Sequence, residues 1–148
     1  MPTKKLTEFE FPRDIQILLM ELNLCGKIWL IMSIYKPPKQ NSPYFLSKLN
    51  EALIFYSKYD YTIISGDFNL EPTNPDLFEF LELNTFSNHV KNKTCWKSNS
   101  GRCIDLILSN SKHYVVNNTG TVETGLSDHH HHRISIMEIL TITYLGTN

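Results

Sequence analysis

A mixed α/β layered fold is predicted, and three observations carry it. Runs of branched and aromatic residues of strand length recur along the chain, two segments instead repeat their apolar residues every three or four positions, and short turn-like clusters separate them. That alternation is the pattern of helices and sheet layered around one core.

Residues 15–22 and 27–35 are two such runs, separated by Asn23-Leu24-Cys25-Gly26, and they read as a β-hairpin. Pro37 and Pro38 then end the pairing, because proline has no N–H for a ladder and restricts the residue before it. Tyr35 is left near the strand end. Asn41-Ser42-Pro43 is a helix start, a capping side chain followed by proline in the first turn. Behind it Phe45, Leu46, Leu49, Leu53 and Tyr56 line one face, which predicts a helix over residues 43–57. Residues 61–65 form a short apolar strand, and Gly66 opens the loop that holds Asp67 and Asn69. Asn74-Pro75-Asp76 repeats the cap signal ahead of Leu77, Phe80 and Leu81, giving a second, shorter helix. Further strands are read at 94–96, 103–109, 114–116, 119–124 and 133–145. A single domain, or most of one, is expected over residues 1–148, with no repeat or linker; the histidines at 129–132 are the one low-complexity tract.

With 148 residues, 41% of them apolar, the chain can bury a core of its own. Fifteen acidic residues nearly cancel fourteen basic ones, so any attraction to a polyanion must come from local charge. Cys25, Cys95 and Cys103 leave at least one thiol unpaired and show no CxxC spacing, which suits a reducing compartment. No apolar stretch approaches the roughly 20 residues of a membrane-spanning helix, and residues 1–13 do not form a signal peptide. The expectation is a soluble intracellular protein, nuclear or cytoplasmic, without a membrane partner. Its oligomeric state is left open. The glycosylation sequons at Asn92 and Asn117 then read as chance matches.

Four polar punctuations at strand ends are candidates for chemistry. In Gly66-Asp67-Phe68-Asn69, a carboxylate can hold a water and an amide two residues on can donate to a phosphate oxygen; the same residues also make an ordinary turn. Asp105 shares a strand face with Cys103, Ile107 and Ser109. An ionised carboxylate there needs a partner, unless the strand is an edge in water. His129 is the natural partner, since a carboxylate on one ring nitrogen raises the basicity of the other. Asp128 adds a carboxylate beside that histidine, and hard divalent cations take one or two carboxylates plus substrate phosphate. Tyr35 could donate to a phosphate, although tyrosines at strand ends more often pack. Lys91, Lys93, Lys97, Arg102 and Lys112 could grip a nucleic-acid backbone or simply be solvated. A zinc site from His89, Cys95, Cys103 and His113 lacks recognisable spacing.

Taken in series, Tyr35-x-Pro-Pro, Gly66-Asp67-Phe68-Asn69, Thr94-x-Trp96, Arg102-x-Ile104-Asp105-Leu-Ile-Leu-Ser109 and Ser127-Asp128-His129 resemble the later blocks of the endonuclease/exonuclease/phosphatase superfamily, in that order. The phrases Thr94-Cys95-Trp96 and Ile104-Asp105-Leu-Ile-Leu resemble most the endonuclease domain of non-LTR retrotransposons. The resemblance covers about residues 15–136. It implies a two-sheet α/β sandwich with outer helices and Mg²⁺-dependent hydrolysis of phosphodiesters, with Mn²⁺ as a substitute. The implied partner is nucleic acid, DNA ahead of RNA. It further implies that Tyr35 and Asn69 contact phosphate, Asp67 positions the attacking water, Asp105 orients His129, and Asp128 helps hold the metal.

The family also carries, upstream of its Tyr-x-Pro-Pro strand, an asparagine block and a metal-binding glutamate. Only thirty-four residues precede Tyr35 here, and Glu8, Glu10 and Glu21 match no such block. The amino-terminal part of the domain is therefore expected to be missing, with a metal ligand lost and sheet edges exposed. Two rival readings remain: a non-catalytic remnant that folds or binds nucleic acid without cleaving it, and a metal binder built on the histidine tract.

Overall fold

Both helices start where their caps predict. The Asn41 side chain accepts the backbone N–H of Tyr44 at 2.9 Å ahead of α1 (Ser42–Phe55), and Asn74 accepts that of Leu77 at 3.1 Å ahead of α2 (Pro75–Leu83). In each, a proline occupies the first turn, where its missing N–H costs nothing. Together they lay Phe45, Leu46, Leu49, Ala52, Leu77 and Phe80 onto one face of a sheet.

The computed structural model describes residues 3–24, 26–96, 100–110, 114–122 and 131–138. The strands are β1 (Thr3–Leu6), β2 (Gln16–Leu24), β3 (Lys27–Tyr35), β4 (Tyr61–Asp67), β5 (Ser87–Asn88), β6 (Asp105–Ser109), β7 (Tyr114–Val122) and β8 (His131–Glu138). Six form one sheet in the order β1-β2-β3-β4-β6-β5, and β7 and β8 form a second. β3 and β4 are parallel, joined through α1, and the other neighbours are antiparallel. This is the mixed α/β fold expected.

Strand alternation divides the large sheet into two faces. Leu19, Leu30, Met32, Ile34, Ile64, Leu106 and Leu108 point to the helices and form the main core. Trp29, Tyr61, Ile63 and Ile107 point the other way, where the Trp29 and Tyr61 rings lie 4.7 Å apart and Val90 joins them.

Several boundaries differ from those read in the sequence. β1 lies within residues 1–13, where the sequence predicts no strand, and pairs with β2. β4 does not stop at Ser65; it runs through Gly66 to Asp67, because a residue without a Cβ lets the Ile34 carbonyl approach and the β3 ladder continue. The strand read at 94–96 is reduced to one bridge, Cys95 to Arg102. The two strands read at 114–116 and 119–124 are one, β7, whose register shifts between Val116 and Asn118, an extra residue taken up as a bulge. β8 is described to Glu138, and the rest of the 133–145 segment lies outside the described residues.

At the sheet end away from Asp67, His89 Nε2 lies 2.8 Å from the buried Ser109 hydroxyl, and burial holds the imidazole pKa below its ordinary 6.5. The folded state thus favours the neutral ring. Stability from this site is present above the unfolded value near 6.5 and declines as pH falls through the folded value. Urea midpoints at pH 7.5 and 5.5 should show the native chain losing more stability on acidification than His89→Gln. Parallel losses would contradict the assignment.

Candidate active site

The geometry begins with register. Tyr35 at the end of β3 is the direct partner of Asp67 at the end of β4, and Asp67 is the direct partner of Asp105 at the start of β6. Adjacent strands lie about 4.8 Å apart, so three side chains far apart in sequence stand on one rung and one face. Tyr35 is 40% exposed, Asp67 is partly buried and Asp105 is 9% exposed.

Asn69 sits just beyond. Its backbone has φ 46°, a left-handed conformation that asparagine tolerates better than most residues. Its N–H donates to Asp67 Oδ1 at 2.9 Å, and its side-chain amide donates to the Lys36 carbonyl at 2.9 Å. The segment is therefore both an ordinary Asx turn and a rigid presentation of Asp67 and Asn69. Phe68 between them is fully buried, and its N–H donates to the Ile104 carbonyl at 2.9 Å, tying the turn to the approach of β6.

Thr94 secures the third strand. Its buried hydroxyl accepts the backbone N–H groups of Ile104 at 3.1 Å and Asp105 at 3.0 Å, the two residues that aim the carboxylate. The sequence places Thr94 in a strand and in the Thr94-x-Trp96 block but assigns no role to its hydroxyl. On the surface nearby, Arg102 Nε meets Glu71 Oε1 at 3.1 Å, an exposed pair of the kind worth about 0–1 kcal/mol.

A second residue missed in the sequence is Lys36, 1% exposed. Its backbone N–H donates to the Asp67 carbonyl at 2.9 Å, and desolvation holds its ammonium below the usual lysine range while the charge of Asp67 pulls it back up. The signal was present: Leu30, Met32 and Ile34 are the buried row of β3, and Lys36 is the next position in the period of two.

Of the expected basic patch, Lys91, Lys93 and Arg102 are exposed, and Lys97 and Lys112 lie outside the described residues. Lys93 donates to the Ser100 carbonyl, with its ammonium 5.6 Å from the ring centre of Trp96, which is 48% exposed. Asp128 and His129 also lie outside the described residues, as do Cys25 and His113. No group of three or more His, Cys, Asp and Glu among the described residues could hold a metal ion, and no helix among them is long and apolar enough to cross a membrane. The donors at the strand ends are oxygens and an amide, the chemistry a hard cation accepts rather than a zinc-type thiolate set. A groove of about 280 Å³ between α1 and α2 carries Asp76 and Glu79 on its walls, the wrong charge for a phosphate.

A sequence profile described as Endonuclease-reverse transcriptase matches residues 29–133, more than half of the chain. The chain belongs to the Endonuclease-reverse transcriptase family. Solved structures give the same fold. The endonuclease domain of TRAS1, a telomere-specific non-LTR retrotransposon, superposes with a TM-score of 0.69 at 12% identity over 87% of this chain and 64% of that one. An endonuclease/exonuclease/phosphatase family protein from Leptotrichia buccalis does so at 0.63 and 18%, over 82% and 53%. The human Nocturnin catalytic domain does so at 0.61 and 16%, over 80% and 52%. This Endonuclease-reverse transcriptase chain thus spans between about half and two-thirds of their lengths. No curated protein matches it.

Proposed function

We propose that this Endonuclease-reverse transcriptase domain hydrolyses phosphodiester bonds of nucleic acid, DNA ahead of RNA. The observation that carries the reading is the common rung of Tyr35, Asp67 and Asp105 with Asn69 locked beside it. In this reading Asp67 orients a water in line with the phosphorus, and Tyr35 and a second N–H of the Asn69 amide donate to phosphate oxygens. Asp105 accepts one ring N–H of His129 and so orients and stabilises its imidazolium, which meets the charge that builds on the phosphate. The water oxygen joins phosphorus and gives up a proton to the Asp67 carboxylate, the bond to the leaving oxygen breaks, and that oxygen takes a proton from solvent. Mg²⁺ or Mn²⁺, held by Asp128 together with waters and the substrate itself, would supply Lewis-acid stabilisation. Lys93 and Trp96 suit a sugar-phosphate backbone and an unstacked base respectively.

Plasmid nicking with Mg²⁺ tests this. The native chain should nick, and Asp67→Ala should do so at least about 100-fold more slowly. Equal rates, or none from the native chain, would remove the enzymatic reading. A non-catalytic nucleic-acid binder would then be favoured.

A further inference from the structure

We propose that Lys36 is a positioning residue, the buried counter-charge that holds Asp67 ionised and oriented at the end of β4. The inference rests on the reading of Asp67 as the water-orienting carboxylate. Three observations lead to it. Lys36 is 1% exposed and continues the buried row of β3, so its ammonium does not reach a substrate and must act through a neighbour. Burying an ammonium is costly unless it is compensated, and the hydrogen bond described for Nζ, to the Pro37 carbonyl, is long at 3.4 Å. Lys36 directly follows Tyr35, the register partner of Asp67, and its N–H bonds the Asp67 carbonyl, so the two residues stand side by side at the strand ends, where the charge of Asp67 favours the ammonium.

The arrangement also answers a need of the rung itself. Asp67 and Asp105 are direct partners across an antiparallel pair, where like charges destabilise. A cation fixed beneath Asp67 offsets that repulsion without occupying the open side, where water and phosphate would sit. Backbone geometry ties the two together. The Lys36 N–H bonds the Asp67 carbonyl and the Lys36 carbonyl accepts the Asn69 amide, so the Lys36 backbone and the turn are held together.

Charge coupling is reciprocal: whatever Lys36 does to the ionisation of Asp67, Asp67 does equally to Lys36. In the full chain, without metal or nucleic acid, the carbon-13 titration of the Asp67 carboxyl should move to higher pH in Lys36→Met. The nitrogen-15 titration of the Lys36 ammonium should move to lower pH in Asp67→Asn, by a matching amount. No movement in either direction overturns the proposal. Should Lys36→Met fail to fold, the Asp67→Asn measurement decides alone. If the native chain nicks DNA, Lys36→Met should also lower kcat with KM unchanged and move the acid limb of the pH–rate profile upward, a shift that a merely packing role would not produce. Reciprocal shifts in a chain that never nicks would sink the nuclease reading and leave the coupling intact. Nicking that depends on Asp67 without those shifts would sink the role of Lys36 alone.

Discussion

Gly66→Ala is expected to abolish cooperative folding or to cost about 3 kcal/mol or more, a large part of the 5–15 kcal/mol that holds a typical domain together. A Cβ at position 66 would sit 2.0 Å from the Ile34 carbonyl oxygen and 2.9 Å from its carbon, both backbone atoms that cannot swing aside. The φ of +141° adds strain that a residue with a side chain rarely bears. Relief requires β3 and β4 to part where Tyr35 and Asp67 meet, so the site should open along with the core. Gly26→Ala is the control. That position also has positive φ, +73°, but nothing lies within 4 Å of its would-be Cβ, so only backbone strain of about 1 kcal/mol is expected. Urea denaturation of the two variants side by side checks this, and equal losses would mean that the close approach of Ile34 does not exist.

Thr94→Val is expected to cost about 2–4 kcal/mol, although valine has nearly the shape of threonine. The hydroxyl removed is the acceptor for two buried backbone N–H groups, and each buried donor left unsatisfied costs about 1–3 kcal/mol. The loss should be local to the start of β6. Amide exchange at Ile104 and Asp105 should accelerate more than exchange in α1, and Thr94→Ser should restore most of the protection. A midpoint for Thr94→Val within error of the native one would contradict the role given to the hydroxyl.

Much of this architecture was legible from residue order alone, and for local reasons. Asn41 and Asn74 announce the helices because a side-chain acceptor near free N–H groups acts within three residues. The β2–β3 hairpin follows from two branched runs around one glycine-containing turn. The assignment of Asp105 to the face shared with Ile107 and Ser109 needs nothing beyond the period of a strand, and the pairing of β6 with β4 agrees with it. Features that depend on a distant partner were not legible. β1 is too polar to announce itself and is a strand because β2 offers an open edge. Gly66 reads as a loop until the Ile34 carbonyl is seen against it.

Residue types and their spacing, then, were enough to specify the helix starts, the strand faces and the identities of the candidate groups, because capping and alternation are short-range, and the series of motif blocks carried the resemblance to the family. Tertiary structure alone decided that Tyr35, Asp67 and Asp105 share one rung, that Thr94 braces the third of them, and that a lysine is buried against the second. Strand order and register come from the packing of whole faces under the helices, and desolvation exists only once that packing has excluded water.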